Sequence, residues 1–278
     1  MPENKRPTQS YPPLATVCKK QFPFSLCCPS FVYPAGYVDN VRQLAPFVDE
    51  IELLFFESRF ADSLPSREMI RELVQLARSG DITYNVHLPT DICLGHRDAG
   101  VRQTAVDVLT RTIARCAPLD PTTFTLHLAR DSSEPDYRRW QANVVTSLEN
   151  VLATGIPGRR LSVENLDDGL ESAGPVIRQL DLSVCMDMGH IMARGGDLTA
   201  FYDRWRERIT VAHLHGVDGD RDHLPLDRLS DTLMIEVLGL LKRFSAAVSL
   251  EVFSFGALNA SMRHLRHEWL KPKNEVLV

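Results

Sequence analysis

The segment Leu182–His190, which reads Leu-Ser-Val-Cys-Met-Asp-Met-Gly-His, shows the pattern that decides the fold of this chain. Its apolar part predicts a buried strand over Leu182–Met188, and Asp187 lies near the carboxyl end of that strand. Five other apolar segments carry a His or Glu residue at the same relative position. These residues are His87, His127, Glu164, His213 and Glu251.

Eight short apolar segments alternate with longer segments of helical period, of which Ser66–Ser79 and Ala99–Cys116 are predicted helices. Eight such units in about 250 residues predict a single closed (β/α)8 TIM barrel of the α/β class. The first βα turn lacks a Gly-x-Gly-x-x-Gly sequence, which argues against an open dinucleotide-binding sheet. The predicted strands are Phe24–Cys28, Glu50–Phe55, Ile82–Leu88, Thr123–Leu128, Arg160–Asn165, Leu182–Met188, Ile209–His215 and Ala247–Phe253.

The barrel is predicted to occupy residues 22–278, and residues 1–21 are predicted to be an N-terminal tail that is polar, rich in proline and prone to disorder. The chain has 278 residues, of which 44% are hydrophobic and 24% are charged. This composition is typical of a globular protein with a full core.

Charge and cysteine content restrict the partners and the compartment. The formal charge is -5 and no long basic run occurs, so we expect no purely electrostatic binding of nucleic acid. No apolar run approaches the ~20 residues of a membrane-spanning helix, so no membrane partner is expected. The six cysteines lack Cys-x-x-Cys spacing, which favours a reduced, cytoplasmic protein. The sequence does not indicate the oligomeric state.

The strand-end residues are predicted to form a metal site. The carboxyl ends of all barrel strands form one rim, so residues far apart in sequence converge there. A single His or carboxylate at a strand end is more often a structural residue in a hydrogen bond or salt bridge. However, three carboxylates, Glu164, Asp187 and Glu251, are costly to bury together without cations. Their coincidence with three histidines favours metal binding.

More polar residues follow these strand ends. His190 comes three residues after the acidic residue of strand six, and an acidic loop from Asp218 ends at His223. His213 and His215 lie on the same side of one strand, because side chains repeat with a period of two. For His215 the sequence leaves three roles open: a ligand in place of His213, a partner of a ligand, or a substrate contact.

Together these residues resemble the xylose isomerase-like and endonuclease IV-like superfamily of TIM barrels. In its isomerases and epimerases, one divalent metal is held by residues that match Glu164, Asp187, His213 or His215, and Glu251. In its endonuclease IV-like branch, further histidines extend the site to two or three zinc ions. Here the matching histidines are His87 and His127, with His190 and His223 as ligands of the third ion.

One position departs from the endonuclease IV-like pattern. That branch has an Asp two positions before its last His, and this chain has Arg221 there, with Asp220 and Asp222 on either side. The resemblance therefore implies the third ion less firmly than the first two.

A narrower set of segments resembles the bacterial cobamide-remodelling phosphodiesterases of the CbiR family. This resemblance implies hydrolysis of the nucleotide loop of a cobamide, a molecule of the coenzyme B12 type. The products would be cobinamide phosphate and the riboside of the lower-ligand base. The segments are Ser30–Ala35, Ile51–Ser58, His87–Pro89, Glu164–Leu166, Asp187–His190 and Asp222–Leu226.

The resemblance also implies a ligand set and its chemistry. Two or three Zn²⁺ ions are expected, and the same ligands would accept Mn²⁺, Co²⁺ or Fe²⁺. Such ions neutralise phosphoryl oxygens and lower the pKa of water. We expect one ion on His87, His127 and Glu164, with Glu164 bridging to a second ion on Asp187, His213 and Glu251. The expected catalytic residues are Glu164, Glu251, His190 and His223, and the two histidines would stabilise the leaving ribose oxygen.

Substrate contacts are predicted from the early loops at Tyr33, Glu52, Glu57 and Arg130, besides His215. Tyr33 can equally be a packed aromatic, Glu52 a hydrogen-bonded core residue and Arg130 a surface residue. A large corrinoid also requires a wide apolar opening. The aromatic residues near the predicted rim, which can equally belong to the core, are Phe31, Phe55, Phe56, Phe253 and Phe255.

Three competing functions fit parts of this pattern. A single-metal sugar isomerase or epimerase shares the ligands of strands five to eight but has no use for His87 and His127 as ligands. A DNA-repair endonuclease would require basic rim loops, and the pI near 6.0 argues against it. A corrinoid-binding or metal-binding protein without catalysis is the third alternative.

Overall fold

The computed structural model describes residues 11–55, 57–58, 64–130, 133–166, 170–219 and 221–271. Eight parallel strands form a closed barrel, which confirms the predicted fold class. The chain order is kept around the barrel, and the last strand pairs with the first. The barrel strands are β1 (Ser25–Pro29), β2 (Glu50–Leu54), β3 (Thr83–His87), β4 (Phe124–Leu126), β5 (Leu161–Glu164), β6 (Ser183–Asp187), β7 (Ile209–Leu214) and β10 (Ala247–Leu250).

Helices follow the barrel strands, and their apolar faces cover the barrel. Polar side chains cap several helix starts: Ser66 accepts from the main-chain N–H of Met69, and Asp98 and Asp136 cap the next two long helices. The helices are α1 (Tyr37–Leu44), α2 (Arg67–Gly80), α3 (Ala99–Cys116), α4 (Tyr137–Leu152), α5 (Gly174–Gln179), α6 (Met188–Ala193), α7 (Leu198–Trp205), α8 (Asp231–Leu241) and α9 (Phe255–Leu270). None of the described helices is long and apolar enough to cross a membrane.

All eight predicted strands overlap observed ones, but several end earlier than predicted. β4 ends at Leu126, so His127 lies one residue beyond it, and His215 is likewise the first residue after β7. A 3-10 turn, Gly158–Arg160, replaces the predicted start of strand five. The reason is that parallel pairing ends where neighbouring chains diverge into their loops, so the apolar run is longer than the hydrogen-bonded ladder.

An antiparallel hairpin follows β7 at the mouth of the barrel. Its strands are β8 (Gly216–Asp218) and β9 (Arg221–Leu224). Gly216 is required there, because a Cβ would overlap the carbonyl oxygen of Pro225. The hairpin brings His223 back over the ends of the barrel strands.

Part of the predicted N-terminal tail packs against the barrel. Leu14 and Cys18 are buried, and the main-chain N–H of Cys18 donates to the carbonyl oxygen of Phe47 at 3.0 Å. The side-chain oxygen of Asn259 in α9 accepts from the main chain of Ala15 at 2.8 Å. The predicted tail thus contacts the barrel at Leu14, Ala15 and Cys18, and residues 1–10 lie outside the described residues. All six cysteines are free thiols.

Candidate metal centre

Glu164, at the carboxyl end of β5, is the centre of a buried cluster. The Nε2 atoms of His87 and His127 each lie 3.1 Å from its Oε2 atom. β3 and β4 present the two imidazoles, and their rings stand nearly perpendicular, 5.0 Å apart. His87, His127 and Glu164 therefore offer three ligand atoms close enough to hold one ion.

The other oxygen of Glu164 belongs to a second group, with Asp187 of β6, His213 of β7 and Glu251 after β10. His213 Nδ1 lies 3.0 Å from Glu251 Oε2, 3.5 Å from Glu164 Oε1 and 4.0 Å from Asp187 Oδ2. The barrel register explains the convergence, since Asp187 and His213 are direct partners on adjacent strands. The two groups thus share one carboxylate.

A third group lies on the outer side of Asp187 and consists of His190, His215 and His223. His190 starts from the first turn of α6, and its Nδ1 atom lies 3.2 Å from Asp187 Oδ2. The hairpin supplies His223, whose ring lies 4.2 Å from that of His215. The structure separates the two histidines of strand seven: His213 belongs to the second group and His215 to the third.

Buried polar atoms without a partner show that these residues fit a metal. Asp187 Oδ2, His213 Nδ1, His215 Nε2 and Glu251 Oε2 are all buried, and none of them makes a hydrogen bond of acceptable geometry, although His213 Nδ1 and Glu251 Oε2 face each other at 3.0 Å. Leaving such atoms unpaired costs about 1–3 kcal/mol each or more. Divalent cations would satisfy all four, because imidazole nitrogens and carboxylate oxygens are their usual ligands.

The pKa values of the clustered histidines and carboxylates depend strongly on one another. Burial raises the pKa of Glu164, but His213, His127 and His87 outweigh it and hold the pKa well below its ordinary value. Burial lowers the pKa of His87, but Glu164 and, to a smaller extent, Glu52 raise it, so that the net pKa is above its ordinary value. For His213, burial lowers the pKa while the acidic neighbours Cys185 and Glu251 raise it, with a net result well above its ordinary value. The carboxylate is therefore charged, and protons compete with a metal for these imidazoles.

Glu52 lies beneath the cluster in the barrel interior and does not face the opening of the barrel. It is fully buried in β2, and its Oε1 atom accepts from His213 Nε2 at 3.0 Å. Its second oxygen accepts from the hydroxyl of Ser249 at 2.6 Å. This contact leaves Nδ1 of His213 directed at the cluster, which is the outer-shell role carboxylates take behind ligating histidines. Of the two roles that the sequence left open for Glu52, the structure favours the hydrogen-bonded core residue, and we infer that it positions His213.

Asn165, which the sequence pattern did not single out, holds Asp187 and His190 of the cluster in place. Its side-chain amide donates to the carbonyl oxygen of Asp187 at 2.9 Å, and its oxygen accepts from the main chain of the same residue at 2.7 Å. Its own carbonyl oxygen lies 3.2 Å from His190 Nδ1. Its position directly after Glu164 at a strand end is the signal that could have identified it.

The remaining predicted substrate residues are placed differently. Tyr33 is buried, and its hydroxyl donates to the carbonyl oxygen of Pro12 at 2.9 Å, so the structure favours the packed role. Arg130 stacks on the ring of Tyr137 at 4.0 Å and donates to a main-chain oxygen, which occupies it outside the metal cluster. Glu57 is half-buried after β2.

Aromatic residues do reach the mouth. Phe31 is 52% exposed and Phe253 is 37% exposed, and the ring of Phe253 lies 5.0 Å from that of His223. Phe55 is buried, and Phe255 is packed on Tyr33 at 5.5 Å. Phe56 and Asp220 lie outside the described residues.

The sequence matches the family of xylose isomerase-like TIM barrels over residues 39–272. The chain belongs to this family. Among curated proteins, none matches the sequence significantly.

Solved structures of xylose isomerase-like barrels share the fold at low identity. Endonuclease IV from Thermus thermophilus superposes with a TM-score of 0.68 at 18% identity, covering 88% of this chain and 98% of its own. D-psicose 3-epimerase from Clostridium cellulolyticum gives a TM-score of 0.65 at 15% identity, covering 88% and 96%. A family 2 AP endonuclease from Brucella melitensis gives a TM-score of 0.62 at 17% identity, and the match covers 88% of this chain and 98% of the other. At this identity the likeness shows the fold alone.

Proposed function

We propose that this protein is a metal-dependent phosphodiesterase that hydrolyses the nucleotide loop of cobamides to cobinamide phosphate and the lower-ligand riboside. The observation that carries the proposal is the sharing of Glu164 between two ligand groups. A site for one metal has no need of the His87 and His127 contacts to its carboxylate. A phosphodiester, in contrast, carries a charge that a pair of cations neutralises.

The chain supplies ligands for two ions. His87, His127 and Glu164 would hold one, and Glu164, Asp187, His213 and Glu251 would hold the other. Zinc suits this mixture of imidazole and carboxylate, and Mn²⁺, Co²⁺ and Fe²⁺ are alternatives. Such ions supply neutralisation of the phosphoryl oxygens and a nucleophilic hydroxide at neutral pH.

His190 and His223 act on the side of the leaving group. Their side chains are 16% and 26% exposed, so they reach the opening while the ligands beneath them are buried. An imidazole there can stabilise charge on the departing ribose oxygen or deliver a proton to it. Asn165 holds His190 in place through its main-chain carbonyl.

Two features support a cobamide as the substrate. The first is the set of segments that resembles the cobamide-remodelling phosphodiesterases, from Ser30–Ala35 to Asp222–Leu226. The second is a pair of exposed aromatic residues that follow barrel strands, Phe31 after β1 and Phe253 after β10, the latter 5.0 Å from the ring of His223. Exposed aromatic faces next to the cluster suit a substrate with a large apolar ring and an anionic ester.

A single-metal sugar epimerase is the second candidate, because Glu164, Asp187, His213 and Glu251 form a complete four-ligand group on their own. Metal analysis separates the two functions. The phosphodiesterase requires at least two tightly bound ions per chain, and the epimerase requires one.

The proposal is tested by incubating the zinc-loaded protein with a complete cobamide and analysing the products by mass spectrometry. We expect cobinamide phosphate and the riboside. Intact cobamide across Zn²⁺, Mn²⁺, Co²⁺ and Fe²⁺ would contradict the proposal. So would cleavage of an abasic-site DNA duplex at a comparable rate, because the proposed substrate is a small molecule in the cytoplasm and not nucleic acid.

A further inference from the structure

The chain between β1 and α1, residues 30–36, follows the carboxyl end of a barrel strand and therefore lies at the mouth. We call this segment loop 1, and it carries the exposed Phe31. Its first residue is tied to β2: the main-chain N–H of Ser30 donates to the carbonyl oxygen of Glu52 at 2.8 Å, and its hydroxyl accepts from the main chain of Leu54 at 3.3 Å. Loop 1 therefore starts from a fixed point, and its path decides where the Phe31 ring stands.

A single buried side chain, that of Asn40 in α1, holds loop 1 from the inside. Its oxygen accepts from the main-chain N–H groups of Val32 and Tyr33 at 3.2 and 2.9 Å. Its amide donates to three carbonyl oxygens of the loop, those of Tyr33, Ala35 and Gly36, at 3.2, 3.0 and 3.2 Å. The main chain of loop 1 is thus fixed on the side of α1.

Two tyrosines hold loop 1 from the other side. The hydroxyl of Tyr11, in the N-terminal segment, donates to the carbonyl oxygen of Pro34 at 3.1 Å. In return, the hydroxyl of Tyr33 donates to the carbonyl oxygen of Pro12 at 2.9 Å, and the two rings lie 5.0 Å apart. The opposite contact of the Tyr33 ring is Phe255 of α9, at 5.5 Å. We call this reciprocal pair of tyrosines the tyrosine clasp.

The segment that carries Tyr11 is itself anchored to the barrel. Leu14 is buried, and the main chain of Ala15 donates to the side-chain oxygen of Asn259 in α9. Tyr11 therefore reaches loop 1 from a fixed base. Because both hydroxyls of the clasp bond to main-chain oxygens, the clasp acts on the position of the loop.

We propose that Tyr11 and Tyr33 are positioning residues for the substrate, whose clasp fixes loop 1 so that Phe31 packs against the large apolar ring of a cobamide. The inference rests on the proposed function and adds to it a specificity element built from the N-terminal segment. A loop that is ordered before binding costs less free energy to bind than one that must be ordered by the substrate. Loss of the clasp should therefore raise KM, while kcat stays unchanged because the metal centre is intact.

The experiment compares steady-state cobamide hydrolysis by the zinc-loaded wild type, Tyr11→Phe and Tyr33→Phe. Each variant keeps its ring and loses one hydrogen bond, so we expect KM to rise about 2- to 10-fold with kcat unchanged. The matched control is Tyr202→Phe in α7, whose hydroxyl also donates to a main-chain oxygen, that of Arg243, at 2.9 Å. This control should behave as wild type.

A double-mutant cycle with Phe31→Ala separates positioning from a general effect on the fold. If the clasp acts through Phe31, Tyr33→Phe should raise KM little further once Phe31→Ala is present. Three results would overturn the inference: a wild-type KM for both clasp variants, a lower kcat with unchanged KM, or additive effects of Tyr33→Phe and Phe31→Ala.

Hydrogen exchange tests the clasp without substrate. The main-chain N–H groups of Val32 and Tyr33 should exchange faster in Tyr11→Phe than in Tyr202→Phe, because loop 1 opens more often when the clasp is weakened. Equal exchange in the two variants would overturn the inference even if cobamide is hydrolysed. Intact cobamide together with faster exchange would contradict the proposed function and the role of Phe31 in it, but not the hold of the clasp on loop 1.

Discussion

Glu164 contributes both of its carboxylate oxygens to the centre: Oε2 faces His87 and His127, and Oε1 faces His213. We expect Glu164→Gln to abolish cobamide hydrolysis and to lower zinc affinity by more than the roughly 100-fold that loss of an outer-shell partner costs. The reason is that an amide supplies one neutral oxygen where two ligand groups need a shared charge. Zinc competition and product analysis measure the two effects. Glu171→Gln, at an exposed carboxylate paired with Arg204, is the control and should behave as wild type.

Glu52 acts on the centre through His213. Glu52→Gln should weaken zinc binding about 10- to 100-fold, because the uncharged amide no longer polarises the His213 ring. At saturating zinc the hydrolysis rate should recover, since no ligand has been removed. The control is Glu50→Gln in the same strand, where the carboxylate accepts from Thr83 and Asn85 and does not contact a ligand. Equal zinc affinity of Glu52→Gln and wild type would refute the positioning role.

The sequence predicted which strand-end residues come together, but it did not predict the residues that position them. His87, Glu164 and Asp187 could be found because each ends an apolar run on a strand whose carboxyl end faces the rim. Glu52 lies in a similar apolar run, but its partner, His213, is 161 residues away and is brought to it only by the closed barrel. Which residue lies beneath another depends on strand register, and a single strand does not contain that information.

At the scale of elements, the first turn of α6 is built to admit His215. Gly189 is inside this helix, where alanine would normally be favourable by about 0.5–1 kcal/mol. Here the Cβ of Gly189→Ala would overlap the His215 ring, so we expect destabilisation by about 1–3 kcal/mol and weaker zinc binding. Urea denaturation of the metal-free protein measures the loss of stability. Gly239→Ala in α8, where nothing lies within 4 Å, should instead stabilise the protein.

The β8–β9 hairpin could not be predicted from the sequence pattern. The loop from Asp218 to His223 reads as an acidic segment, and its fold into two short strands is not indicated by alternation of apolar residues. His223 adopts a left-handed conformation with φ 48°, which is uncommon for residues other than glycine, although histidine adopts it more often than most. That conformation, and therefore the direction of the His223 ring, follows from contacts with the barrel mouth.

At the scale of the whole molecule, the coupled charges predict how pH acts on stability. The lowered pKa of Glu164 stabilises the metal-free protein above about pH 4.3, and this contribution is lost as pH falls towards the folded value. The raised pKa values of His87 and His213 stabilise it below about pH 6.5, and that contribution is lost as pH rises through the folded values. Zinc binds the neutral imidazoles, so its stabilising effect should increase with pH.

We therefore expect the rise in Tm on adding zinc to be larger at pH 8 than at pH 6, as thermal unfolding with and without zinc would show. His267→Ala should show the same pH dependence as wild type, because that histidine is exposed on α9. A zinc-induced rise in Tm that stays constant or becomes smaller towards pH 8 would contradict the assignment of imidazole ligands.

The proposed function requires that water attack the phosphorus of a cobamide phosphodiester at the buried centre. The most direct measurement is hydrolysis of a complete cobamide by the zinc-loaded protein in water enriched in oxygen-18, followed by mass analysis of both products. We expect one labelled oxygen in cobinamide phosphate and none in the riboside, because the P–O bond to ribose breaks. Label in the riboside, or a cobamide that remains intact, would contradict it.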